Sequence, residues 1–139
     1  MRIFQPLKYI PLLLFIALVS FSPTEKDITP YKLIFFEGSD WCINCIRFEK
    51  KVLSTDVFID FAESNEIDIE RIDFPQRRAL DEVTRRYNES IAEKYQFTGV
   101  FPTILLVNTE TEEVQEIVYR NQDLDAFLSL IRSKIEVLK

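Results

Sequence analysis

Apolar and polar positions along this chain follow several distinct rhythms, and each predicts a different element. An apolar run from Tyr9 to Val19 is interrupted only by Pro11 and closes on Ser20, Phe21 and Ser22. Lys32 to Phe36 is a second apolar run, of strand length, that stops at Gly38. From Cys42 to Leu53 the apolar positions take helical spacing, with Ile46, Phe48, Val52 and Leu53 on recurring faces, until Ser54 and Thr55 break it. Val57 to Ser64 predicts a short helix. Ile67 to Asp73 alternates strictly, which predicts a strand.

Pro75 is expected to open a long helix whose apolar stripe is Leu80, Val83, Tyr87 and Ile91, with Asn88 and Ser90 as a weak point. The pairs Arg77-Arg78 and Arg85-Arg86 lie around Asp81 and Glu82, a spacing that predicts a solvated, ion-paired helix face. Thr103 to Val107 is a buried strand, Asn108 to Glu112 a turn, and Val114 to Tyr119 a returning strand. Asp123 caps a final amphipathic helix built on Leu124, Phe127, Leu128, Ile131 and Ile135. The order strand, helix, strand, helix, strand, strand, helix requires parallel pairing early and an antiparallel hairpin late. The expected product is an α/β fold, a small mixed sheet of about four strands with helices on both faces.

The leading run has a different character from the rest. It follows the cations Arg2 and Lys8, and the first acid is Glu25. Positive, apolar, then small and polar is the order of a secretory leader, and the run is short for a bilayer span. Residues 1–22 are therefore read as a signal peptide or an uncleaved N-terminal membrane anchor, 23–31 as a linker and 32–139 as one folded domain. Pro23 stands where cleavage after Ser22 would fall, which keeps the anchor in play. A core helix is the alternative, but such a helix needs polar residues along one face. The expected location is extracytoplasmic, periplasmic or secreted, with membrane anchoring as a variant.

Composition narrows the chemistry. The 139 residues are 47% hydrophobic and include twelve Phe, enough for a sizeable core in one domain. The formal net charge is −6, and becomes −8 without residues 1–22, which argues against nucleic acid as a partner. There is no histidine, so Ser–His, Cys–His and His–metal mechanisms are all excluded. What remains is the pair of cysteines.

Cys42 and Cys45 stand three apart where the first strand turns into the first helix. Amide groups and the macrodipole at a helix N-terminus favour the thiolate, the species that attacks disulfides. The spacing lets the second thiol reach the first. As a structural staple such a bridge is poor, because closing so short a loop adds only about 2 kcal/mol. As a metal site it is poorer, since two thiolates without another Cys or any His leave only carboxylates to complete the ligand set. No metal and no cofactor are expected. Thiol–disulfide exchange is the reading these residues favour.

Trp41-Cys42-Ile43-Asn44-Cys45 resembles the W-C-x-x-C motif of the thioredoxin superfamily, and Gly99-Val100-Phe101-Pro102-Thr103 resembles that family's cis-proline loop. The two occur in the family's order, separated by a strand and a helix, and the resemblance runs from Lys32 to the C-terminus. It implies a three-layer thioredoxin-like sandwich with Cys42 as nucleophile and Cys45 as resolving thiol. It further implies that Trp41, Phe101 and a cis Pro102 form the substrate-binding surface, the Phe101 backbone pairing with an incoming strand. Partners are then protein thiols and disulfides together with a redox partner protein. Both glycines of the chain, Gly38 and Gly99, fall beside these motifs. Several positions depart from the family. Ile43-Asn44 replaces its usual middle dipeptides, and Phe36 stands at the position of its buried aspartate. Glu37 next door points to the other strand face, and Asp40 opposes a Cys42 thiolate by its charge.

The expected activity is that of an enzyme, a protein-disulfide oxidoreductase acting on exported proteins and more readily a reductase. A non-catalytic thioredoxin-like interaction module is the alternative from another class. A thiol Cu(I) chaperone is a third, disfavoured because the single Met is the initiator and there is no His.

Overall fold

The computed structural model describes residues 29–139, so the leader and most of the linker lie outside the described residues. Strand β1 (Tyr31–Glu37) leads into helix α1 (Ile43–Phe48), which continues as a π-helical turn over Glu49–Leu53. Helix α2 (Asp56–Ser64), strand β2 (Ile67–Asp73) and helix α3 (Glu82–Lys94) follow. Strands β3 (Thr103–Asn108) and β4 (Val114–Glu116) then form a hairpin before helix α4 (Leu124–Leu138). The sheet order is β2-β1-β3-β4. β1 and β2 run parallel, with Phe35 opposite Arg71, while β1–β3 and β3–β4 are antiparallel. The mixed four-stranded sheet expected from the sequence is the sheet observed.

Alternation along β1 sends its apolar side chains to both faces, because helices cover both. Leu33 and Phe35 pack with Phe48 of α1, Phe58 and Phe61 of α2, and Phe127 and Ile131 of α4. Ile34 and Phe36 pack on the opposite side with Ile72 and Leu105 under α3, whose Ile91 and Ala92 close that layer. Each helix starts where a side chain satisfies an unpaired amide: Thr55 accepts from Phe58, Asp81 from Thr84 and Asp123 from Ala126.

The helix expected to begin at Pro75 begins seven residues later. The amides of Gln76 and Arg77, which a helix start would leave unpaired, are taken instead by the Asp40 carboxylate at 2.9 and 2.8 Å. With that loop pinned, Asp81 is the first side chain free to cap, and α3 starts behind it. The expected stripe is also displaced. Val83 is 79% exposed and Tyr87 50%, whereas Asn88 is 4% exposed. The face α3 buries runs through Asn88, Ile91 and Ala92, because the Asn88 amide donates to the Asp73 carbonyl at 2.7 Å. A satisfied amide costs little to bury, so the helix continues unbroken through Asn88 and Ser90.

The ion-paired face exists, but only in part. Arg85 pairs with Glu82 and Glu89, and Arg86 with Glu82. Arg77 and Arg78 lie off the helix, and Arg78 pairs with Asp73. The last strand is shorter than expected. After Glu116 one further bond, from the Ile117 amide to the Ile104 carbonyl at 2.8 Å, ends the ladder, and Val118 is 46% exposed.

Candidate active site

The disulfide sits where β1 hands over to α1. A turn closes first: the amides of Trp41 and Cys42 donate to the Gly38 carbonyl at 3.2 and 2.8 Å. The Trp41 indole folds back over Gly38, where a β-carbon would collide with the ring. Its Nε1 donates to the Phe74 carbonyl at 2.8 Å. Cys42 is the N-cap of α1, and the Cys45 amide approaches its Sγ at 3.2 Å. Cys42 and Cys45 form a disulfide with Cα atoms 5.2 Å apart. Cys42 is 7% exposed and Cys45 is fully buried. The sulfur of Cys42 thus has a helix amide aimed at it, and Cys42 is the more exposed residue of the pair, the setting that favours a thiolate when the bond is reduced.

The second motif faces the first. Gly99 has a φ of +81°, in the left-handed region that favours glycine, and the Phe101–Pro102 peptide bond is cis. The Thr103 hydroxyl donates to the Val100 carbonyl at 2.8 Å, closing that loop on itself. The Phe101 ring meets the edge of Trp41 with centroids 5.2 Å apart, so the two loops share an aromatic contact. A groove of about 490 Å³ runs beside them, lined by Asn44, Phe101, Pro102 and Tyr119. Cys42, Cys45, Trp41, Phe101 and Pro102 are therefore gathered at one end of the sheet.

Around this centre lie polar contacts that the sequence analysis missed. Ser39 donates to Asp73 through both its amide, at 2.9 Å, and its hydroxyl, at 2.7 Å. Asp40 holds the loop after β2. Slight desolvation pushes its carboxyl up, but the amides of Gln76 and Arg77 outweigh this and hold it below the usual carboxylate value. Phe36, at the position of the family's buried aspartate, faces away from the cysteines and stacks on Phe97, with centroids 4.4 Å apart. Glu37 does take the other strand face. It is 2% exposed and grips Arg71 through both carboxylate oxygens, at 2.7 and 2.9 Å. Arg71 also reaches Glu49 at 2.8 Å, one helical turn beyond Cys45. Its hydrogen bond to Glu37 raises the guanidinium pKa above the usual value. The available signal was an acid ending an apolar strand and an arginine on the alternating strand that pairs with it, two residues back in the register, since Arg71 lies opposite Phe35 and Glu37 opposite Asp73.

The chain thus folds as a thioredoxin-like α/β sandwich with a Cys-x-x-Cys disulfide at the start of its first helix, an arrangement suited to thiol–disulfide exchange. Among known proteins, it is 28% identical over 114 residues to the disulfide bond reductase DsbH of Chlamydia pneumoniae, covering 82% of this chain and 67% of that one. The structure of a DsbH oxidoreductase superposes with a TM-score of 0.66 at 26% identity, over 78% of this chain and 74% of that one. The fold also matches the reduced C-terminal domain of Neisseria meningitidis DsbD, with a TM-score of 0.51 at 14% identity, over 75% and 80% of the two chains. A Thermus thermophilus thioredoxin matches with a TM-score of 0.50 at 17% identity, over 76% and 73%. No family model matches the chain.

Proposed function

We propose that this protein reduces disulfides in exported proteins, with Cys42 as the attacking thiol and Cys45 as the resolving thiol. The observation that carries this reading is the asymmetry of the pair: Cys42 is at the helix N-cap with an amide on its sulfur, and Cys45 is sealed behind it. In the reduced protein the Cys42 thiolate attacks one sulfur of a partner disulfide. A mixed disulfide forms as the partner's bond breaks, and its leaving thiolate takes a proton. Cys45, deprotonated, then attacks the Cys42 sulfur and expels the second partner thiol. Two electrons pass to the partner, and the Cys42–Cys45 disulfide is the product left behind. Trp41, Phe101 and Pro102 border the groove in which the partner strand would lie, the Phe101 backbone offering it hydrogen bonds.

Export rests on the positive–apolar order of residues 1–22, and location outside the cytoplasm on that leader together with the likeness to DsbH. In an oxidising compartment a reductase needs a redox partner protein that returns electrons to the pair. The reductase direction is supported by the name of the DsbH relative and by Ile43-Asn44, which adds no positive charge beside the Cys42 thiolate. Turnover in an insulin-reduction assay tests the activity, and its absence would favour an interaction module. Equilibration in thiol–disulfide buffers tests the direction. A potential near about −270 mV is expected, and one above about −150 mV would make the protein a disulfide donor instead.

A further inference from the structure

The groove beside Pro102 continues past the disulfide along the β3–β4 hairpin. On one face of that hairpin Ile104, Leu106 and Ile117 lie in a core cluster with Phe127 and Ile131 of α4. Alternation sends Leu105 to the other face, where it packs with Tyr95 and Phe97 after the end of α3. There Leu105 lines the groove, and Glu116 stands directly opposite it across the hairpin. Leu105 is three positions beyond Pro102, about 10 Å at the usual rise of a strand. Val100, 63% exposed, and Val118, 46% exposed, border the same groove. Its volume of about 490 Å³ falls within the ~300–1,000 Å³ usual for a ligand cleft. Of the residues that line it, only Glu116 is charged. The nearby cations are engaged elsewhere: Lys134 reaches Gln115 at 3.2 Å, and Lys94 pairs with Glu112. Glu116 is exposed and forms no ion pair among the described residues. Open apolar surface with one unpaired carboxylate is thus continuous with the cis-proline loop.

We propose that this groove holds the partner chain beyond its exchanging cysteine, seating an apolar side chain against Phe97, Leu105 and Val118 and a Lys or Arg at Glu116. The inference rests on the reading of Cys42 as the attacking thiol and adds to it the chemistry of the partner's neighbouring residues. An extended partner that pairs with the Phe101 backbone covers about 10 Å with three residues. The apolar and basic side chains therefore stand about third and fourth from its cysteine. Burial of the apolar side chain supplies most of the hold and survives salt. The exposed carboxylate acts chiefly on association and specificity, and salt screens it.

The test uses the reduced full-length chain and synthetic peptides of one length, each carrying a single cysteine as its mixed disulfide with 2-thiopyridine. The third and fourth residues from that cysteine are Leu-Lys, Ser-Lys or Leu-Glu, and all others are Ser or Gly. In one set the pair lies N-terminal to the cysteine, in the other C-terminal. Release of thiopyridone gives the rate of attack, divided by the rate with a free small thiol. In one of the two sets the Leu-Lys peptide should react about fivefold faster than Ser-Lys, in low salt and in about 1 M salt alike. It should react about threefold faster than Leu-Glu at low ionic strength, a ratio that falls towards one in about 1 M salt. Glu116→Gln should abolish the second ratio and keep the first, and Val118→Ser should lower the first and keep the second. Glu113→Gln removes the same charge from the turn outside the groove and should leave both ratios as they were. Equal rates within both sets, or a loss as large in Glu113→Gln as in Glu116→Gln, would overturn the inference while the oxidoreductase reading stands. Failure to react with any of the peptides would overturn the assignment of Cys42, and this inference with it.

Discussion

Glu37, buried at the end of β1, holds Arg71 of β2 in a two-pronged ion pair at 2.7 and 2.9 Å. Arg71 is half-exposed, so the carboxylate, not the guanidinium, is the group that depends on the pair. Arg71→Leu should destabilise the protein by about 2–3 kcal/mol, because it strands a buried charge. Glu37→Leu combined with Arg71→Leu should cost less than Arg71→Leu alone. Denaturant unfolding of the two single variants and the double one, as a cycle, measures this.

Trapping tests the roles of the two thiols. Cys45→Ser should accumulate mixed disulfides with partner proteins, and Cys42→Ser should accumulate none above background. Non-reducing gels of the tagged variants give the answer. A reversed pattern would transfer the attacking role to Cys45.

Gly38 lies under the Trp41 indole. Gly38→Ala should displace the ring and break its bond to the Phe74 carbonyl, with a loss of about 1–3 kcal/mol, the usual range for overpacking. Trp41 is the chain's single tryptophan, so a fluorescence shift towards longer wavelength reports the displacement directly.

The Tyr87 hydroxyl donates to the Glu70 carboxylate, which also pairs with Lys32 at 2.9 Å. That hydrogen bond, helped by partial burial, raises the Tyr87 pKa from 10.0 to about 12. A raised folded pKa stabilises the protein fully below the unfolded value, and the benefit is lost as pH climbs from about 10 towards 12. Burial also raises the Tyr119 pKa, so absorbance titration should show late tyrosine ionisation that loses one tyrosine's amplitude in Tyr87→Phe. Since Tyr87 is half-exposed, the accompanying stability change should be small.

Asp40 clamps two amides of the loop after β2. Asp40→Ala should free Gln76 and Arg77 for faster amide exchange and cost about 1 kcal/mol. It should also lower the Cys42 pKa in the reduced protein, because a nearby negative charge disfavours the thiolate. Hydrogen exchange and pH-dependent alkylation check the two effects.

The elements that could be read from the sequence are those whose apolar pattern decides the packing. β1, β2, β3 and α4 bury what their spacing says they bury, and Asp123 caps where capping chemistry places it. The cysteine pair was legible because two thiols at a helix start have few other uses. α3 was misread at both its start and its face because side chain–backbone bonds decided each. Asp40 withdrew two amides from the helix that Pro75 would have opened, and Asn88 bought burial with a hydrogen bond to Asp73. Such bonds join residues 15 to 37 positions apart, and periodicity reports nothing about them. The same is true of Arg71, whose two carboxylates come from another strand and a helix.

β2 forms one edge of the sheet, and among the described residues no strand pairs with its far side. An open edge is a template on which another chain can add a strand. Here Asp68, Glu70 and Arg71 put charges of both signs along it, and Lys32 ties two of them to β1. A protein that transiently bonds to partially unfolded clients would be exposed to such strand addition at every turnover. The charges on β2 oppose such pairing and keep the sheet from growing sideways along this edge.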